Sequence, residues 1–172
     1  MSLRIPVSDS DHAQGNPDAR IVLVEYGDYQ CPHCGRAYPI VKKTQEGLGN
    51  QLRFVFRNFP LTQAHPQAML AAAASEAAAL QGKFWEMHDL LFENQRNLGR
   101  TAIHRYAEQL KLDMNAFDKV IDDPETEKNI EAEFYSGMRS GVNATPTFFL
   151  NAEIVTESWE GDGLYNFIRS RL

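Results

Sequence analysis

The spacing of hydrophobic residues divides the chain into three parts. In the first, Ile21-Val22-Leu23-Val24-Glu25-Tyr26 is a nearly continuous apolar run rich in β-branched residues. This is the pattern of a strand buried on both faces, not one alternating between core and solvent. A short loop, Gly27-Asp28-Tyr29-Gln30, leads to a helical pattern from Pro32 to about Glu46. Proline suits the first helical position, where its missing N–H would have had no partner. Pro39, inside the same helix, removes the bond to the Gly35 carbonyl and predicts a kink. Gly47-Leu48-Gly49-Asn50 ends the helix, and Leu52 to Arg57 reads as a second strand. Strand, helix and strand predict a right-handed βαβ unit with parallel strands.

The second part, His65 to Gly141, has no strand pattern. Ala68 to Leu80 is strongly helix-forming. Phe84, Met87, His88 and Leu91 fall at helical spacing, and Ile103, Ala107 and Leu110 form a further apolar face after Thr101 as candidate cap. Asp113 caps a short helix with Phe117 and Ile121 inward. Asp123-Pro124 opens a last long one with Ile130, Phe134 and Met138 on one face. In the third part strands return: Thr147 to Leu150 and Glu153 to Val155 flank Asn151-Ala152, a two-residue hairpin turn with Asn where φ > 0 is wanted. Asp162 or Gly163 opens a final helix to Leu172. The fold class is therefore α/β, a βαβ … ββα frame around a central mixed sheet. An all-helical insertion at 63–140 divides a discontinuous domain made of 1–62 and 141–172. Ahead of it all, residues 1–20 are polar and turn-rich, with Arg4 to Val7 as a candidate edge strand.

Composition narrows the function. A chain of 172 residues with a net charge of −6 and no basic run makes nucleic acid an unsuitable partner. The longest apolar stretch, Leu70 to Leu80, is interrupted by Ser75-Glu76 and is too short to span a membrane, so no membrane insertion is expected. The N-terminal residues carry no apolar h-region of a secretory leader. The compartment is cytoplasmic for the chain as it stands and extracytoplasmic if a leader preceded it. A monomer is expected.

The chemistry concentrates in Cys31-Pro32-His33-Cys34, which holds the only two cysteines of the chain. A bond between them closes a tiny loop that constrains the unfolded chain little, so its purpose is redox rather than stability. At the N-cap, Cys31 should sit over unpaired N–H groups and the positive end of the helix dipole, which favour thiolate over thiol. A protonated His33 would push the same way. Cys31 is then the exposed attacking sulfur and Cys34, one turn inside, the buried resolving one. Core cysteines or a zinc site are the alternatives. Zinc needs about four ligands, and His12, His65, His88 and His104 have no paired spacing to complete such a set. No metal or other cofactor is expected beyond the Cys31–Cys34 disulfide itself.

Glu25, six residues before Cys31, is flanked by apolar residues. Buried beneath the dithiol, it would have a raised pKa and could exchange a proton with Cys34. On strand geometry alone it could equally reach the sheet edge or pair with Arg57. Pro146 cannot donate to a ladder, so it belongs at a strand start. If cis, it exposes the Thr145 backbone to an extended peptide; if trans, it marks a loop end. Phe84 and Trp85 read as core and His88 as a satisfied core histidine. Tyr29, Phe59 and Trp159 are candidates for an apolar groove beside the dithiol.

These residues resemble the thioredoxin superfamily, and within it the DsbA-like thiol–disulfide oxidoreductases. The resemblance runs from about Gly15 to the C-terminus. It is carried by Val24 to Cys34, by Gly82-Lys83-Phe84-Trp85-Glu86-Met87-His88, and by Ser140 to Phe149. It implies a thioredoxin-like fold with a helical insertion, a cis Pro146, a proton-relay role for Glu25, and Thr145 and Pro146 as substrate-binding residues. It also implies a bacterial dithiol oxidase that forms disulfides in protein or peptide thiols and is recycled by a redox partner. The Pro-His dipeptide is that of strongly oxidising members, whose low cysteine pKa and high potential are established reference cases. Thr145 departs from the valine of the best-known oxidants and is also seen in isomerases. Reduction or isomerisation by the same site therefore stays an alternative, as does a redox-independent peptide-binding or chaperone module.

Overall fold

The structure, a computed structural model, describes all residues from Met1 to Leu172. Five strands form one mixed sheet in the order β1-β3-β2-β4-β5. They are β1 His12–Gly15, β2 Ile21–Gly27, β3 Leu52–Asn58, β4 Thr147–Leu150 and β5 Glu153–Ile154. β2 and β3 pair in parallel, with Glu25 opposite Phe56, and are joined by helix α1, Pro32–Leu48. β4 lies antiparallel on the other side of β2, with Glu25 opposite Phe148. The dithiol strand is thus central and buried on both faces, as its unbroken apolar run requires.

Five helices occupy the stretch between β3 and β4: α2 Ala68–Ala79, α3 Phe84–Glu93, α4 Arg100–Gln109, α5 Met114–Ile121 and α6 Pro124–Arg139. Asp113 and Asp123 cap α5 and α6 through their side chains, accepting from Ala116 N–H and Glu125 N–H. Helix α7, Gly163–Arg169, packs beside α1. Apart from a small cluster of Ala72, Ala73 and Ile130, the insertion shares its interior with the sheet. One cluster of 30 buried residues takes Leu23, Phe54 and Phe148 from the sheet together with Ala71, Met87, Ile103 and Phe117 from the helices.

Several elements depart from the sequence expectation. The N-terminal edge strand is His12–Gly15, not Arg4 to Val7. Arg4 to Val7 runs past the sheet, and the carbonyls of Ile5 and Pro6 accept from the Arg57 guanidinium. β1 has no apolar signature because it is held to β3 by backbone ladder bonds at the sheet edge. Helix α4 starts at Arg100 with Gly99, not Thr101, as its cap. Helix α7 stops at Arg169, and β5 ends at Ile154. On α6, Ile130 is buried but Met138 is 51% exposed, because the helix turns that position away from the sheet. The hairpin turn is as read: Asn151 and Ala152 both have positive φ.

Candidate active site

Cys31 occupies the N-cap of α1 with extended backbone, Pro32 is the first helical residue, and no side chain caps the helix. The first-turn N–H groups are left to the sulfur. Both thiols are free. Cys34 is fully buried and its sulfur accepts from the Asp28 N–H at 3.4 Å. Cys31 is also covered, only 3% exposed, which corrects the expectation of an exposed nucleophile. What covers it is the loop before β4: the Cys31 thiol donates to the Thr145 carbonyl at 3.6 Å. The Thr145–Pro146 peptide bond is cis. Thr145, the residue before Pro146, therefore faces Cys31 through its carbonyl.

The two sulfurs have opposite proton affinities. Cys31 is lowered to about 5, first by the hydrogen bond from Cys34, against the opposing effect of burial, and further by Thr145 and the N–H groups of Cys34 and His33. The Thr145 hydroxyl is buried without a hydrogen-bond partner. Cys34 is raised well above an ordinary thiol, first by burial, then by its donation to Cys31 and by the charges of Glu25 and Cys31. His33 acts through its backbone. Its exposed ring is turned along the helix, where Nδ1 meets the Arg36 guanidinium at 2.7 Å.

Glu25 lies inside, 2% exposed, and its Oε1 has no hydrogen-bond partner. It does not pair with Arg57, whose guanidinium grips Asp11 through both carboxylate oxygens at 2.8 and 3.0 Å. Burial first, and the Cys31 charge second, push Glu25 up to about 8. A void of about 10 Å³, bordered by Glu25, Gln14, Lys42 and Gln45, leaves room for about one water beside it.

Two residues that the sequence reading passed over hold the dithiol loop. Asp28, 1% exposed, accepts from the N–H groups of Gln30 and Cys31 through Oδ1. Its Oδ2 accepts from Leu61 N–H and meets His65 Nδ1 at 2.8 Å. Gln95, between α3 and α4, donates to the carbonyls of Tyr29 and Cys31 at 2.8 and 2.9 Å. Gly35 makes room for it: a Cβ there would lie 2.0 Å from Gln95 Oε1. Asp28, followed by two residues whose N–H groups it accepts, is legible as an Asx turn. Gln95 gives no local signal, since its partners are more than 60 positions away.

The expected groove aromatics are elsewhere. Tyr29 is buried among Phe56, Phe92 and His88, and bonds His88 Nδ1 at 2.9 Å. His88 is a core histidine, lowered to about 3 by burial and the charges of Lys42 and His12. Phe59 stacks on Phe134. Trp159 is half-buried under Arg36.

A mixed sheet with a cysteine pair at the N-terminus of the crossover helix, faced by a cis-proline loop and interrupted by a helical block, defines the thioredoxin-like class with a DsbA-like insertion. The thioredoxin family model matches residues 8–170, and the chain belongs to that family. Among solved structures, a thioredoxin-like oxidoreductase from Silicibacter pomeroyi superposes with a TM-score of 0.77 at 28% identity, covering 86% of this chain and 84% of the other. BdbD from Bacillus subtilis gives 0.76 at 23% identity over 94% and 90%, and α-DsbA1 from Wolbachia pipientis 0.73 at 24% over 92% and 81%. These last two speak to the fold. A curated relative from Salinispora tropica, 43% identical over 152 residues, is named Na(+)/H(+) antiporter NhaA 3. The match covers 88% of this chain, which spans about a quarter of the length of that relative. No helix here is long and apolar enough to cross a membrane.

Proposed function

We propose that the protein is a thiol–disulfide oxidoreductase that works as a dithiol oxidase on protein or peptide thiols. The observation that carries this is the opposed tuning of the two sulfurs, with Cys31 lowered to about 5 and Cys34 raised. A thiolate stabilised in the reduced state makes the disulfide a stronger oxidant. Measured from an ordinary thiol at 9.0, only the part of the shift below pH 7 lies outside what neutral pH leaves protonated. It is worth about 2–3 kcal/mol, on the order of 60 mV.

In the oxidised protein, a substrate thiolate attacks Cys31 Sγ. The Cys31–Cys34 bond breaks, a mixed disulfide forms, and Cys34 leaves with the electron pair and takes a proton from neutral Glu25. A second substrate thiolate then attacks the substrate sulfur of the mixed disulfide, and Cys31 leaves as its stabilised thiolate. Two electrons pass to the protein, whose reoxidation needs a partner disulfide or equivalent oxidant. Thr145 and Pro146, facing Cys31, are the residues we assign to holding the substrate backbone. In this reading the helical insertion also serves the site, since it supplies His65 and Gln95 to the dithiol loop. Antiport is not carried over from the relatives' names, because the stretch shared with them builds a dithiol site on a thioredoxin fold.

Equilibration with glutathione buffers of several ratios tests the direction. A potential well above about −270 mV, the thioredoxin value, is expected. A potential at or below it would overturn the oxidase reading and leave a reductase.

A further inference from the structure

Beside the dithiol loop lies a cleft of about 380 Å³ whose polar lining includes Gln67, Arg96, Asn97, Arg100, Thr101 and Arg105. Its wall is tied to the dithiol loop at two points. The Gln67 N–H donates to the side chain of Gln30, the residue before Cys31, at 2.8 Å. Gln95, the residue before Arg96, holds the Cys31 carbonyl. A polypeptide whose cysteine is joined to Cys31 can therefore lay its neighbouring residues in this cleft.

The charge of the cleft runs against that of the molecule. The protein carries −6 overall, yet three arginines and no carboxylate line this cavity. Arg100 spends its charge on Asp122. Arg96 and Arg105 are exposed and pair with no carboxylate. Two unneutralised guanidiniums in a concave site focus the field and offer forked donors that match carboxylates. Exposed pairs of this kind act mostly on encounter and selection.

We propose that this cleft binds an acidic segment next to the substrate cysteine, so that the protein selects its polypeptide substrates by charge. This rests on the oxidoreductase reading of the dithiol. Net charge alone predicts the opposite preference, since a protein of −6 repels acidic peptides.

The test mixes the oxidised full chain with reduced synthetic peptides that hold the same cysteine pair between glutamate-rich, neutral or lysine-rich flanks. Loss of the protein disulfide is followed in a single turnover, with dithiothreitol as an uncharged reference. The acidic peptide should react about tenfold faster than the lysine peptide at low salt, and the gap should shrink strongly at high salt. Arg96→Ser/Arg105→Ser should abolish the preference and Arg96→Glu/Arg105→Glu should invert it, both with an unchanged dithiothreitol rate. Reaction with dithiothreitol but no acidic preference, or a preference that survives both variants, would overturn this inference alone. Failure of dithiothreitol to react with the native chain would overturn the oxidoreductase reading and this inference with it.

Discussion

At the residue scale, Cys31 and Cys34 are the same side chain three positions apart, and their difference comes from what surrounds each sulfur. Cys31 has donors around it, and Cys34 has burial and two nearby negative charges. Glu25 adds a cost of its own. Its proton is held in the folded state up to about 8 and lost near 4.5 in the unfolded chain. The folded state therefore binds more protons between those values, so this contribution to stability is complete below about 4.5 and is lost as pH rises to about 8. Glu25→Gln should raise stability at pH 7 by roughly 2–3 kcal/mol and flatten that loss, as measured by urea unfolding at several pH values. A slope left unchanged would show that Glu25 is ionised in the folded protein. Glu133, half-buried on α6 and raised to about 8 first by desolvation and then by the charge of Glu76, maintains a second part of the slope. Asp28 works in the other direction. Asp28→Ala strands the N–H groups of Gln30 and Leu61 and the His65 ring, while Cys31 N–H keeps the Asp28 carbonyl, and should cost about 2–4 kcal/mol in the same assay.

At the scale of elements, legibility followed how local the cause was. The apolar run of β2, the proline opening α1, the aspartates capping α5 and α6, and the Asn151-Ala152 turn act within a few residues and are legible in the sequence. β1 is not legible, because its four residues, His12-Ala13-Gln14-Gly15, carry no pattern and are strand only through β3. Cys31 was expected to be exposed because the helix terminus alone leaves it open, while its cover, Thr145, arrives from 114 positions away. The seat of α6 on β2 shows the same dependence. A Cβ on Gly137 would lie 2.8 Å from Phe59 and 2.9 Å from Tyr26. Gly137→Ala should destabilise the fold by about 1–3 kcal/mol despite alanine's better helix propensity, a result that thermal denaturation followed by circular dichroism would register. A gain in stability would mean that α6 can shift outward freely.

At the scale of the whole molecule, the shared core predicts that the insertion and the sheet unfold as one cooperative unit. Ile103→Ala in α4 should cost about 2–5 kcal/mol, with one transition seen alike by tryptophan fluorescence and far-ultraviolet circular dichroism. Two separated transitions would show the helical block unfolding by itself. The same unity ties the chemistry to the fold, since β2, α1, the loop before β4 and the helical insertion each bring one part of the environment of Cys31. Thiolate absorbance of the reduced protein, titrated with pH and compared with a Cys31→Ser variant, reads that environment in one number. A pKa near 5 is predicted for Cys31; a value near the free-cysteine range of about 8.5 would contradict the activated dithiol on which the proposed oxidase rests.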